Sequence, residues 1–295
     1  MYSFFTSLSQ RRSLLTSLLS TAVFAAAPTA SQARNGFIPH YVGAEGMVSG
    51  AGTACPLDST STIANPAALT RLPSDFLINM GVVYQNQHLD SSSALIGNPV
   101  GRQKNQTMYM FPLTLGGNKR INEEWAVGFA LTGGGGLVKF NHPVTNPAIL
   151  NPPSDEFNKQ TINNVILTAT TLSYRPTPEQ SYGISLLISS STFKSDMAIP
   201  PAQTEVTGNL KANTAFGVGT RIGGIWDVNR YLTLGASAAT PVYSQVHNKY
   251  RQLFDAHHFE IPATLRVGLT WHISQKTDFS LDFKELFYGY SKWVS

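Results

Sequence analysis

From Phe76 onward the chain changes character at every second residue, and it does so over segments longer than a soluble strand needs. Trp125, Val127, Phe129 and Leu131 fall on one side of an extended backbone, and Ala126, Gly128, Ala130 and Thr132 on the other. Side chains in a strand alternate between faces, so a slip of one residue would exchange the two sets and the register is strongly specified. The same rhythm returns in nine segments, near 76–84, 108–115, 125–132, 162–174, 182–194, 210–226, 231–242, 259–273 and 278–284. Most run to about 10–16 residues, where soluble strands centre on about 5–6. A tilted strand crosses a bilayer in about 9–11 residues.

The connections sharpen this reading. Those at 116–124, 175–181, 227–230 and 274–277 are short, whereas those at 85–104, 133–160, 195–209 and 243–257 are long. Short turns on one side and long loops on the other mark an outer-membrane barrel. Trp125, Tyr174, Tyr182, Trp226, Tyr231 and Trp271 sit near strand ends, where interfacial aromatics belong. A sheet in lipid must close, because an open edge leaves backbone N–H and C=O groups without partners. A secreted β-sandwich also alternates. It explains neither the strand lengths nor the loop asymmetry, nor a charged fraction of 13% against about 25% in typical soluble domains. The expected fold is therefore all-β, an antiparallel transmembrane β-barrel of outer-membrane type.

The N-terminus reads as an export signal. Arg11 and Arg12 precede an apolar stretch from Leu14 to Ala27, and Ser31-Gln32-Ala33 supplies small residues for cleavage near Arg34. The 21 basic residues less those two arginines leave 19 against 17 acidic ones in the mature chain. No basic stripe appears, which argues against a nucleic-acid partner. Cys55, the single cysteine, has no internal partner and reads as a small buried residue.

One segment ahead of the first strand fits neither a strand nor a core helix: Ser59-Thr60-Ser61-Thr62-Ile63-Ala64-Asn65-Pro66-Ala67-Ala68-Leu69. Together with Asn35-Gly36-Phe37, Gly43-Ala44-Glu45-Gly46 and the late Ile261-Pro262-Ala263-Thr264-Leu265-Arg266, it resembles the FadL family of outer-membrane transporters for long-chain fatty acids and other hydrophobic compounds. The resemblance runs from about residue 35 to the end of the chain. It implies a 14-stranded barrel whose lumen holds an N-terminal hatch. By position the hatch is 34–74, with Asn65, Pro66 and Ala67 as its motif and 75–295 as barrel strands. It further implies substrate capture among outer loops, a hydrophobic site within the barrel, and exit through a lateral opening in the wall. Nine strands fall five short of the family barrel, so the expectation is an incomplete sheet with two exposed edges.

No enzyme constellation emerges. His257, His258 and Glu260 have no ligand spacing, Gly133 to Gly136 lacks the ending of a phosphate loop, and Gly-x-Ser-x-Gly is absent. No metal or other cofactor is expected. Arg221, Arg266, Asp282 and Lys284 fall on the face opposite the apolar one. They read either as lumen ion pairs holding the hatch or as cations for a substrate carboxylate, with Lys194 near a strand tip as an entrance cation. Leu137, Val138 and Phe140, in the longest loop, are the candidate apolar entry residues, binding acyl chains by burial at about 0.8 kcal/mol per methylene. The expected function is passive passage of long-chain fatty acids or similar compounds through the outer membrane of a Gram-negative bacterium. The expected partners are hydrophobic small molecules and outer-membrane lipid, lipopolysaccharide included, and a complete barrel would be monomeric. The alternative is a structural or surface-interaction protein of that membrane, or a non-transporting remnant.

Overall fold

The computed structural model describes residues 52–86, 88–90, 102–104, 106, 108–140, 160–195, 211–250 and 260–287. The export signal and the first part of the expected hatch, 34–51, lie outside the described residues. Nine strands form one antiparallel meander: β1 (Asp75–Met80), β2 (Leu113–Arg120), β3 (Trp125–Lys139), β4 (Gln160–Thr177), β5 (Gln180–Ser195), β6 (Asn213–Asn229), β7 (Leu232–Ala239), β8 (Thr264–Ser274) and β9 (Thr277–Leu286). Each pairs with its neighbour in chain order. Two short ladders, 83–85 with 108–110 and 88–90 with 102–104, carry the first hairpin beyond the sheet. Tyr243–Ser244 adds a two-residue strand beside β6. No helix among the described residues is long and apolar enough to cross a membrane.

Burial runs opposite to that of a soluble protein. Phe216 is 57% exposed, while Arg221, five residues along the same strand, is 7% exposed. Phe76, Ile78, Phe129, Ile184, Leu186, Ile188, Val218, Val267 and Leu281 all face outward. Thr114, Thr171, Ser173, Ser185, Ser189, Ser237 and Thr270 face inward and are buried. An apolar surface running across every strand far exceeds the few hundred Å² that soluble monomers expose. It is the surface of a sheet whose outer solvent is lipid.

The short turns share one end. Pro178–Glu179, Arg230–Tyr231 and Gln275–Lys276 are two-residue links, and Ile121–Glu124 joins β2 to β3. The aromatics gather there: the Trp125 and Tyr174 rings lie 4.5 Å apart, and the Trp226 Nε1–H donates to the Tyr182 hydroxyl at 3.2 Å.

Two expected connections prove to be strand. Gly116-Gly117-Asn118-Lys119 does not turn but pairs with both β1 and β3. A side chain at Gly116 would strike Ser59 and Thr60 of the segment packed against it, and one at Gly117 would strike the Phe129 ring. These glycines give clearance rather than a bend. Gly133 to Gly136 likewise stay in register with β4, so β3 runs on to Lys139. Leu137 and Val138 therefore lie on a strand and Phe140 directly after it, not in a loop; only 141–159 of that connection lies outside the described residues.

The sheet curls. Thr53 N–H donates to Asp282 on β9 at 2.9 Å, and Ser59 N–H donates to Asp75 on β1 at 3.1 Å. The intervening stretch of chain spans about 20 Å at full extension, and each carboxylate adds only a few ångströms. Nine strands laid flat would hold the edges nearly 40 Å apart, at about 4.8 Å per strand. Among the described residues, β1 and β9 each pair on one side only.

An arginine on the outward face tests its solvent. Ile188→Arg, near mid-height of the apolar band, is expected to cost about 2–4 kcal/mol in reversible unfolding from lipid vesicles. The same change in detergent-free aqueous refolding would be neutral or favourable if that face met water.

Candidate functional site

The stretch Gly52–Ser74 lies on the inner face, and its backbone conformation follows from its sequence. Asp58 caps the 3-10 turn Ser59–Ile63 by accepting from Thr60 N–H at 2.8 Å. Asn65 caps the next turn, Pro66–Arg71, accepting from Ala67 N–H at 3.1 Å. Pro66 takes the first helical position, where its missing N–H costs nothing. The Asn65 amide also donates to the carbonyls of Thr53 and Gly224, both at 2.9 Å, and of Ala236 at 3.3 Å. One fully buried side chain thus ties its own turn, the start of the segment and two wall strands together.

The wall is cut to receive it. Side chains at Gly183, Gly223 and Gly235 would collide with Pro66, Asn65 and Thr53 respectively. Thr62 and Thr171 share a hydroxyl contact at 2.6 Å, Ser237 donates to Ala64 O at 2.6 Å, Ser173 donates to Pro66 O, and Asn118 donates to Leu69 O at 3.0 Å.

Arg71 closes the segment at the short-turn end. Its guanidinium donates twice to Asp227 (2.7 and 2.9 Å), to Ser181 Oγ at 2.7 Å, and to the carbonyls of Glu179 and Ile225. Asp227 accepts also from Thr233 at 2.7 Å, Thr233 meets His272 Nε2 at 3.0 Å, and His272 Nδ1 meets Asp278 at 2.8 Å. This polar chain runs from the segment across β6, β7, β8 and β9. Beside it is a cavity of about 650 Å³, lined by Cys55, Pro56, Leu57, Arg71, Asp227 and His272 among others. Burial raises the Cys55 thiol pKa, opposed by a hydrogen bond with Ser280 and reinforced by the Asp278 and Asp282 carboxylates, which favours the protonated thiol.

Neither a family model nor a curated protein matches the sequence. Solved structures match its fold. The Pseudomonas putida toluene transporter TodX aligns with 79% of this chain and 67% of its own at TM-score 0.58 and 16% identity. The Ralstonia pickettii toluene transporter TbuX aligns with 81% and 69% at 0.57 and 16%. A Pseudomonas aeruginosa FadL homologue aligns with 81% and 66% at 0.50 and 13%. The fold is that of the FadL-type channels. The chain spans about two thirds of the length of these structures.

Within this FadL-type fold the inner face changes character above the segment, toward the long-connection end. Leu167, Ala169 and Leu187 form an apolar cluster with Val242, joined by Ala239 and Ile261. The connection after β7 bends inward over it. His247 is buried, its Nδ1–H donating to Asn213 O at 3.1 Å while Nε2 meets Ser191 Oγ at 3.3 Å. Tyr250 packs edge-on against Phe193 at 4.8 Å and accepts from Ser195 N–H. Below the cluster, Arg221 pairs in register with Ser185 and Ala239, and Arg266 with Ser237 and Lys284. Both arginines face inward and are buried, as their parity predicts.

The wall beside the apolar cluster is incomplete. The ladder between β2 and β3 ends at Thr114–Thr132. Across that seam the next backbone bond is Gln106 N–H to Lys139 O at 2.6 Å. Among the described residues, no ladder bond joins 108–112 to 133–138; Pro112 has no N–H to offer. A side chain on Gly136 would meet nothing within 4 Å.

Of the residues expected to bind substrate, Arg221, Arg266 and Phe140 face inward. Lys194 does not join them: it shares parity with Tyr182, Ile184 and Ile188 on the outward face. Leu137 shares parity with the outward Val127 and Phe129. Val138 has the opposite register parity. Sequence reasoning missed Arg71, His247 and Tyr250, which lie in stretches without periodicity.

Two measurements follow. Asn65→Ala leaves the buried Thr53 and Gly224 carbonyls short of a donor and is expected to destabilise by about 1–3 kcal/mol, seen as faster amide exchange across 52–72 with the strands still protected. His247 has its pKa lowered from the ordinary value by burial, opposed by the Asn213 carbonyl. The inward fold of 240–250 is therefore held fully above the unfolded imidazole value of about 6.5 and weakens as pH falls through it. Amide exchange in 243–250 is expected to rise below that pH, and His247→Gln to remove the dependence.

Proposed function

We propose that this chain forms a channel of the outer membrane of Gram-negative bacteria through which small hydrophobic compounds, long-chain fatty acids among them, diffuse passively. In this reading 1–33 is the export signal, 34–74 is the hatch, and 75–295 supplies wall strands. The observation that carries it is the adjacency of the apolar inner cluster to the unladdered seam of the wall. Leu167 lies opposite Thr132 and Val165 opposite Gly134 in the ladder between β3 and β4. A hydrophobic molecule resting on Leu167, Leu187 and Val242 would thus lie beside a gap that leads to the lipid-facing surface. The docked Gly52–Ser74 segment supports the direction of exit, since it fills the lumen below. The similarity to toluene transporters supports the general class of cargo.

The two arginines bear on which cargo. Arg221 lies one inner row from Leu187, the Gly219 partner. An acyl chain in the cluster would place a carboxylate toward that guanidinium, and a buried carboxylate needs such a partner. A monoaromatic hydrocarbon does not. Arg266 and Phe140, which also face inward, are secondary candidates.

Uptake of labelled oleate and labelled toluene, in a deletion strain with and without the gene, tests this. Gene-dependent oleate uptake that falls about tenfold or more in Arg221→Leu, with toluene uptake kept, is the expected result. Gene-dependent toluene uptake alone would remove the fatty acid from the proposal. No gene dependence for either would leave a structural or surface-interaction protein in its place.

A further inference from the structure

Two lysines stand out on the outward face. Lys139 ends β3 and Lys194 nearly ends β5, and they flank β4 from either side, opposite Gln160 and Ile162. Both are half-buried. Among the described residues neither forms a salt bridge. We propose that this pair binds the phosphates of an anionic glycolipid of the outer leaflet, whose acyl chains lie along the apolar wall beneath. The proposal rests on the membrane-barrel reading above.

Height on the wall is the argument. Trp125, Tyr174 and Tyr182 form the aromatic row at the short-turn end. A strand rises about 3.4 Å per residue and tilts about 40° in a barrel. Thr192 then stands about 26 Å above that row, close to the ~25 Å apolar band of outer-membrane barrels. The chemistry of the face changes at that level. Below it the large outward side chains are Phe216, Ile188, Ile166 and Leu186, with the small Thr168, Thr170, Ser190 and Thr220 between them. At it, Asn164, Thr192 and Thr214 are neighbours in register, with Thr192 and Thr214 sharing a hydroxyl contact at 2.9 Å. Lys194 and Lys139 stand above, about 31 and 36 Å from the aromatic row by the same geometry. That is headgroup depth in the leaflet on the long-connection side, which faces outward in such barrels.

Charge distribution points to an anion. The short-turn end mixes signs, with Lys119, Arg120, Glu123, Glu124, Glu179 and Arg230 all exposed or partly so. Among the described residues the upper rim of β3 to β6 carries Lys139, Lys194, Lys211 and Lys249, while Asp155, Glu156, Asp196, Glu205 and Asp255 fall in connections outside the described residues. Lysines at this depth gain from an anionic surface and lose if buried in an uncharged one.

The test uses the full chain purified in a neutral detergent, with bisphosphorylated hexa-acyl lipid A as probe and binding read by native mass spectrometry. Lys139→Gln with Lys194→Gln is expected to weaken binding about 25-fold, taking each lysine as roughly a factor of five. Lys139→Arg with Lys194→Arg should retain it, and Lys119→Gln, at the other end of the wall, should leave it unchanged. Binding unaffected by the double glutamine variant, or equally reduced by Lys119→Gln, would overturn the site. Phosphatidylglycerol bound as tightly as lipid A would overturn the choice of glycolipid. Heat-dependent gel mobility of each variant reports folding, and membrane fractionation of wild type separates failure of this site from failure of the barrel reading.

Discussion

Backbone groups that face lipid have no water to fall back on, so a sheet with an apolar exterior must satisfy itself in the ladder and from inside. That constraint organises this chain. Its outward face is spent on Phe, Ile, Leu and Val, leaving Ser, Thr, Asn, Arg and Gly to meet across the lumen. Such a lumen cannot be filled by an apolar core. It is filled by a segment of matching polarity, and Gly52–Ser74 is short-chained, hydroxyl-rich and nearly uncharged for that reason. Asn65 shows the economy involved: one amide caps a turn and bonds carbonyls on three pieces of chain.

Close approach is the companion requirement. Backbone can reach backbone only where no Cβ intervenes, so the inner rows carry Gly183, Gly223 and Gly235 where the segment touches the wall. The same residue type has the opposite use at Gly136, which borders open space. Glycine beneath the segment lets two surfaces lock; Gly136, on the same inner face, has nothing packed over it.

These distinctions explain what could be read from the sequence. All nine strands were legible, because period-two alternation is enforced twice, by lipid outside and by the packed segment inside. Parity alone placed Arg221 and Arg266 inward. Parity also puts Lys194 with Tyr182 and Ile188 on the outward face, and Leu137 with Trp125 once Gly133 to Gly136 are strand rather than loop. Gly116 to Lys119 and Gly133 to Gly136 misled because glycine runs usually punctuate. Here their reason lies in a partner remote in sequence, which no local window contains. The inward fold at His247 and Tyr250 had no periodic signal at all, since it depends on Asn213, Ser191 and Phe193 from other strands.

The two ends of the wall are held by different physics. At the short-turn end the chain from Arg71 through Asp227, Thr233 and His272 to Asp278 crosses four strands and fixes the inner segment to the curl. Each link is a directional contact with a charge at or near one end, and together they resist any shift of Gly52–Ser74 along the barrel axis. At the long-connection end the contacts that hold the inward fold include His247 on Asn213 and Ser191, and Tyr250 on Phe193 and Ser195. The seam between β2 and β3 lies toward that end, away from the polar chain that starts at Arg71.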